Sequence, residues 1–104
     1  MTVQIIKLST GEELIGKVND VQVPDGQQFV QIEKPAVVIL VPDEQTQGKF
    51  GIGLAPYAPY AEKNTINVMP NHIVAIFNPA TTLLNEYNLH YGSKVIVPET
   101  EIKV

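Results

Sequence analysis

Leu8-Ser9-Thr10-Gly11-Glu12-Glu13-Leu14-Ile15-Gly16-Lys17-Val18 is the stretch that decides the fold. It follows an apolar run, Val3 to Leu8, and continues as a second run to about Val23. Ser9 and Glu12 have the spacing of a helical capping box. A hairpin is the better reading, because Gly11 supplies a permissive backbone between two strand-like segments. Leu14, Gly16 and Val18 then share one face, with Glu13, Ile15 and Lys17 on the other. A glycine inside a strand marks a bend or a close backbone approach, so Gly16 is where this sheet is expected to turn.

Outward from the hairpin the chain keeps reading as strands. Val23-Pro24-Asp25-Gly26 is a turn, and Phe29 to Val41 follows, interrupted at Lys34-Pro35. Pro35 has no N–H to give a ladder, so the strand is kinked there or lies at an edge. Ala36 to Val41 is continuously apolar, which predicts burial on both faces. Pro42 to Gly48 reads as a polar loop. Phe50, Ile52 and Leu54 alternate with Gly51, Gly53 and Ala55 along a further strand. The segment from Ala55 to Tyr60 holds two prolines and reads as a bulge or loop. Ile66 and Val68 make a short strand, and Pro70-Asn71 turns the chain into Ile73 to Phe77.

One helix is expected, over about residues 79–91. Asn78 suits the N-cap, Pro79 the first turn and Gly92 the C-cap. Ala80, Leu83, Leu84, Tyr87 and Tyr91 fall at helical spacing. Leu83, Leu84 and Tyr87 are expected to close one end of a barrel. Val95 to Val97 reads as a final strand within a C-terminal strand or tail over 93–104. The whole chain, 1–104, reads as one domain: mainly β, a small antiparallel barrel or tight sandwich with one C-terminal helix.

Composition narrows the function. The 104 residues include 7 Lys, no Arg and 11 Asp or Glu, for a formal charge of −4. Apolar residues make up 44%, too many for a disordered chain. There is no Cys, hence no disulfide framework and no thiol nucleophile. Without Arg there is no bidentate phosphate fork. No apolar run approaches the roughly 20 residues of a membrane span, and no signal-peptide pattern opens the chain, so a cytoplasmic location without membrane contact is expected.

No catalytic constellation stands out. His72 and His90 lack partners at metal-ligand spacing, so no metal or other cofactor is expected. Glu12, Glu13, Asp20 and Glu33 could form an acid/base pair, but adjacent Glu12 and Glu13 at a turn read as a solvated corner. Gly48, Gly51 and Gly53 run along a strand rather than from strand to helix, which is not a nucleotide loop. Tyr57 and Tyr60, at a proline-rich bend, could stack nucleobases or pack over the barrel end. The lysines are scattered along the chain.

Two segments resemble the Sm-like family. Leu8 to Val18 is similar to the first half of its first motif, with a Leu, a turn Gly and a second Gly on matching spacing. Val68-Met69-Pro70-Asn71-His72-Ile73-Val74-Ala75-Ile76 resembles its second motif, two short strands joined at a tight turn. The wider pattern is similar to small Sm-like proteins of marine cyanophages. The resemblance covers about a third of the chain. It implies a strongly bent five-stranded antiparallel Sm-like (SH3-like) barrel that assembles into a homo-oligomeric ring of five to seven subunits. The fourth strand of one subunit would pair with the fifth of the next, here through Phe50, Ile52 and Leu54 against Ile73, Ala75 and Phe77.

The resemblance also implies single-stranded RNA held near the pore, at the loop before the third strand and the turn before the last. Those positions fall on Gln27, Gln28 and Phe29, and on Pro70, Asn71 and His72, with Tyr57 and Tyr60 as further stacking candidates. The family's Arg-Gly falls on Met69-Pro70, and its N-terminal helix has no counterpart. RNA binding without that guanidinium would be weaker and less salt-dependent. A protein-binding structural or adaptor ring without nucleic acid is the alternative, and an enzyme is not expected.

Overall fold

The structure, a computed structural model, describes residues 2–22, 26–42, 48 and 50–91. Strands β1 (Thr2–Leu8) and β2 (Glu13–Gln22) form the expected hairpin. Gly11 turns it with φ +98° and donates its N–H to Leu8 O at 2.9 Å, while the Leu8 N–H reaches Glu12 O at 2.9 Å. The capping-box spacing of Ser9 and Glu12 therefore serves a hairpin, whose register sets Lys7 opposite Glu13.

β3 (Gln28–Pro42) pairs with β2 along most of its first half, and the register slips where Gly16 faces Lys34 and Pro35. Two residues oppose one there, which is a bulge. Lys34 takes φ +53° and Pro35 sits buried in the bulge, where no ladder N–H is required of it. The strand bends but does not end. A Cβ at Gly16 would stand 2.4 Å from Ile32 Cγ2 and 2.9 Å from Glu33 O, so only glycine lets the two strands meet this closely. The expectation of a bend and a close approach at Gly16 holds.

β4 (Phe50–Pro56) pairs with the second half of β3, and β5 (Thr65–Val68) with its first half. Since β2 occupies the other side of β3, β4 and β5 lie end to end along one side. They are two halves of an interrupted strand, parted by an excursion over 57–64. β6 (Ile73–Phe77) pairs with β1, giving the order β4-β3-β2-β1-β6 with β5 beside β3. Six strands thus fill five sheet positions. The architecture is the expected mainly-β, strongly bent antiparallel Sm-like barrel with one C-terminal helix.

The bend folds one face inward. Ile6, Leu14, Val18, Val30 and Ile32 form the barrel interior, with Tyr57, Ile66, Val68 and Ile73 packed around them. The opposite face carries a second cluster of Ile5, Ile15 and Ala36, and helix α1 (Thr81–His90) lies on it. Tyr87 is fully buried there, flanked by Leu83 and Tyr91. The helix therefore covers the outer face of the sheet instead of closing a barrel end, and Leu84 stays outside that cluster. The reason lies in β1 and β2, which carry apolar side chains on both faces and need a cover on each. The Tyr87 hydroxyl reaches Lys34 O at 2.7 Å and Glu33 O at 3.2 Å, so the helix is fastened to the bulge.

Two further expectations change. The helix begins at Thr81 with Ala80 as N-cap, two residues later than Asn78 and Pro79 predict. Asn78 is engaged elsewhere: its Oδ1 accepts from Gln4 Nε2 at 3.4 Å. Ala36 is buried, but Ile39, Leu40 and Val41 are exposed, contrary to burial on both faces. Pairing with β2 ends at Val37; Val38 and Leu54 still pack on the helix-covered cluster, and beyond them β3 and β4 run on as a two-stranded ribbon that meets neither core cluster among the described residues. The expected Gly92 cap, the strand at Val95 to Val97 and most of the loops at 23–25 and 43–47 lie outside the described residues.

Candidate nucleic-acid interface

The short 3-10 turn Pro70–His72 connects β5 to β6 and stands between two cavities. Its N-cap Met69 is extended, the His72 N–H returns to Met69 O at 3.0 Å, and Ser9 donates its N–H to His72 O at 2.8 Å. Proline at the start of the turn, where no N–H is needed, fixes it locally. The hydrogen bond from Ser9 ties it to the β1–β2 hairpin.

On one side, Gln28 and Phe29 from β3 meet Pro70, with Asp20 and Val21 from β2, around a cleft of about 300 Å³. Gln28 is exposed and Phe29 half-buried. Residues some forty positions apart in sequence are thereby brought to one place. On the other side, Tyr57, Tyr60 and His72 rim a groove of about 500 Å³. Its floor is the outer edge of the barrel interior, Leu8, Leu14, Ile66 and Val68, and Glu12, Thr10 and Asn67 supply its polar atoms. Tyr60 is 89% exposed, so its ring is available to a ligand. Tyr57 is fixed, with its N–H on Pro35 O at 3.1 Å. Burial, then the charge of Glu12 and the neighbouring Tyr60, hold the Tyr57 hydroxyl above its ordinary pKa.

The six residues expected from the sequence therefore divide. Gln28 and Phe29 belong to the cleft, and Tyr57, Tyr60 and His72 to the groove. Asn71 is exposed on the turn between them. Glu12 and Asn67 were not singled out for such a site. Glu12 reads as a solvated corner until the fold carries Tyr57 back over it, and nothing local marks Asn67. Among the described residues no Lys lines either space. Lys63 lines a separate surface basin with Glu33 and Glu62.

Among the described residues the sheet ends on β4, with β5 beside it, and on β6, each with one unpaired edge. Ile52 is exposed on β4, and Val74, Ile76 and Phe77 are exposed on β6. Leu54 instead packs toward the helix, Ile73 leans on the barrel interior and Ala75 is half-buried. The Phe50 side chain lies outside the described residues. Val74 and Ile76 were missed as edge residues, although the unbroken apolar run Ile73 to Phe77 was the signal.

His90 ends the helix with Nε2 3.1 Å from Glu86 Oε2, an exposed pair one turn apart. Among the described residues no group of three or more His, Asp or Glu could hold a metal ion. No described helix is long and apolar enough to cross a membrane. Neither a protein-family model nor a curated protein sequence matches this chain.

Proposed function

We propose that this chain is the subunit of an Sm-like homo-oligomeric ring, of five to seven copies, that binds single-stranded RNA. The observation that carries the reading is the cleft shared by Gln28, Phe29 and Pro70. These positions, at the start of β3 and in the turn before the last strand, fall where the resembled family holds RNA. Phe29 offers a stacking face and Gln28 an amide able to pair with a base edge. Ring assembly is supported by the two apolar edges left unpaired among the described residues, since pairing β4 of one copy with β6 of the next removes both. Affinity would come from stacking more than from phosphate contacts, so the salt dependence would be shallow. The protein would act in the cytoplasm, a phage host's if the cyanophage resemblance extends to origin.

Fluorescence anisotropy with U-rich and A-rich oligonucleotides at two salt concentrations tests this. Saturable binding that Phe29→Ala weakens roughly tenfold is expected, the low end of base stacking. No saturation below about millimolar at low salt would refute the RNA reading. The second reading, a protein-binding adaptor ring, is favoured by the formal charge of −4 and the lack of Lys among the described lining residues. Capture of partners from lysate with and without nuclease separates the two.

A further inference from the structure

We infer that the groove rimmed by Tyr57, Tyr60 and His72 receives an arginine side chain from a partner protein. The inference is independent of the RNA reading, which rests on the cleft on the other side of the turn.

Charge comes first. The Glu12 carboxylate lines the groove and accepts from the Thr10 hydroxyl at 3.3 Å. The neighbouring Glu13 is matched by Lys7 at 3.9 Å, whereas Glu12 has no cation within ion-pair distance among the described residues. Nor does any described Lys line the groove. Two tyrosine rings share the rim, and a ring face attracts a cation through its quadrupole. Burial, then Glu12 and then Tyr60 hold the Tyr57 hydroxyl above its ordinary pKa, so the carboxylate and both rings lie within electrostatic reach of one another. A carboxylate alone accepts from any donor. Beside two π faces it belongs to a site whose summed attraction only a positive charge feels in full.

The floor decides which cation. Leu8, Leu14, Ile66 and Val68 make it apolar. A metal ion or a small ammonium leaves such a floor uncovered, while a long alkyl stem covers it and lets the charged head reach the rim. Of the two basic side chains, arginine has the planar and less hydrated head. It stacks on a tyrosine face and meets a carboxylate with a fork of N–H groups. The 104 residues hold no Arg, so a second copy of them cannot supply one and the occupant is a different protein. The formal charge of −4 favours the approach of a basic segment.

The test titrates blocked alanine pentapeptides, with arginine, lysine or citrulline at the centre, into the isotope-labelled full chain. Citrulline keeps the shape and donors of arginine without the charge. Amide shifts of Glu12, Tyr57 and Tyr60 report binding, expected at about millimolar. The arginine peptide should bind about tenfold more tightly than the citrulline one and about twofold more tightly than the lysine one. Glu12, Tyr60 and Glu62 are all exposed, so substitutions there keep the fold. Glu12→Gln should bring arginine and citrulline to within about threefold of each other. Tyr60→Ala should weaken arginine binding about twofold to fivefold. Glu62→Gln makes the same charge change in the separate basin beside Lys63 and should leave binding unchanged. Equal binding of arginine and citrulline, or of arginine and lysine, overturns the inference. So do equal losses in Glu12→Gln and Glu62→Gln, an unchanged affinity in Tyr60→Ala, or no shift with any peptide, and none of these outcomes touches the RNA reading.

Discussion

Gly16→Ala puts the bent sheet to a test whose sign is informative. The new Cβ would lie 2.4 Å from Ile32 Cγ2, 2.9 Å from Glu33 O and 3.4 Å from Pro35 Cα. Carbon atoms rest at about 3.5–4.0 Å, so Ile32 must move by roughly an ångström. Ile32 is fully buried among Ile6, Leu14 and Val30, and the carbonyl belongs to the bulge that Tyr87 fastens. Overpacking of this kind costs about 1–3 kcal/mol. The loss of chain entropy in the unfolded state offsets about 0.4–1 kcal/mol of it. A net loss near 1–2 kcal/mol lowers the Tm of a domain this size by roughly 5–15 °C. The assay is thermal unfolding at one fixed protein concentration, because assembly would make Tm concentration-dependent. Ile32→Ala removes the clashing methyl, so the double variant should be more stable than the two single losses predict, by more than about 0.5 kcal/mol. An unchanged or raised Tm in Gly16→Ala would show that the strands do not meet here, and the account of the bend would fall with it.

Tyr87→Phe keeps the buried ring but removes the donor to Lys34 O and Glu33 O, and should cost about 1–3 kcal/mol by chemical denaturation. Burial first, then the charge of Glu33, pushes the Tyr87 hydroxyl up to about 12. Because this folded-state value is above the ordinary tyrosine value of 10.0, its contribution is complete below pH 10 and is lost between pH 10 and about 12. The stability gap between wild type and Tyr87→Phe should narrow across that window; a gap that is constant there refutes the assignment. His90→Ala removes an exposed pair with Glu86 and an edge contact with the Tyr91 ring, 6.3 Å between centroids, and should change stability by less than about 1 kcal/mol.

The hairpin and the bend could be read early because their causes are local. Gly11 needs a left-handed turn, and Gly16 interrupts a strand whose neighbours alternate cleanly. Pro35 was half legible: it announces an irregular strand, but only the partner strand shows that Gly16 is the single residue opposite Lys34 and Pro35. The seat of the helix was not legible. Ile15 lies between Glu13 and Lys17 and looks like an outward residue, yet Ile5, Ala36 and Tyr87 converge on it across four elements. The candidate site was legible as residue types and not as places. Phe29 and Pro70 meet only because β5 pairs with the first half of β3, and Tyr57 reaches Glu12 only through the excursion between β4 and β5.

The two open edges bear on how the chain would assemble. β4 and the ribbon beyond it expose Ile39, Leu40, Val41 and Ile52, with Leu40 directly opposite Ile52. β6 exposes Val74, Ile76 and Phe77. A two-fold dimer uses the same patch on both copies, so it covers one of these edges twice and leaves the other bare. Head-to-tail pairing of β4 with β6 covers both in every copy, and closes into a ring when the rotation allows. A mixing experiment separates these arrangements. Ile52→Glu spoils the β4 edge and Val74→Glu spoils the β6 edge, each at an exposed position that leaves the fold intact. By head-to-tail pairing each variant alone is monomeric in light scattering at about micromolar concentration, as every junction contains one spoiled edge. Mixed, the intact β6 of the first variant meets the intact β4 of the second, giving a dimer that cannot grow. If Val74→Glu alone remains a dimer, the contact is an isologous one through β4, and if the mixture stays monomeric, these edges do not join copies at all.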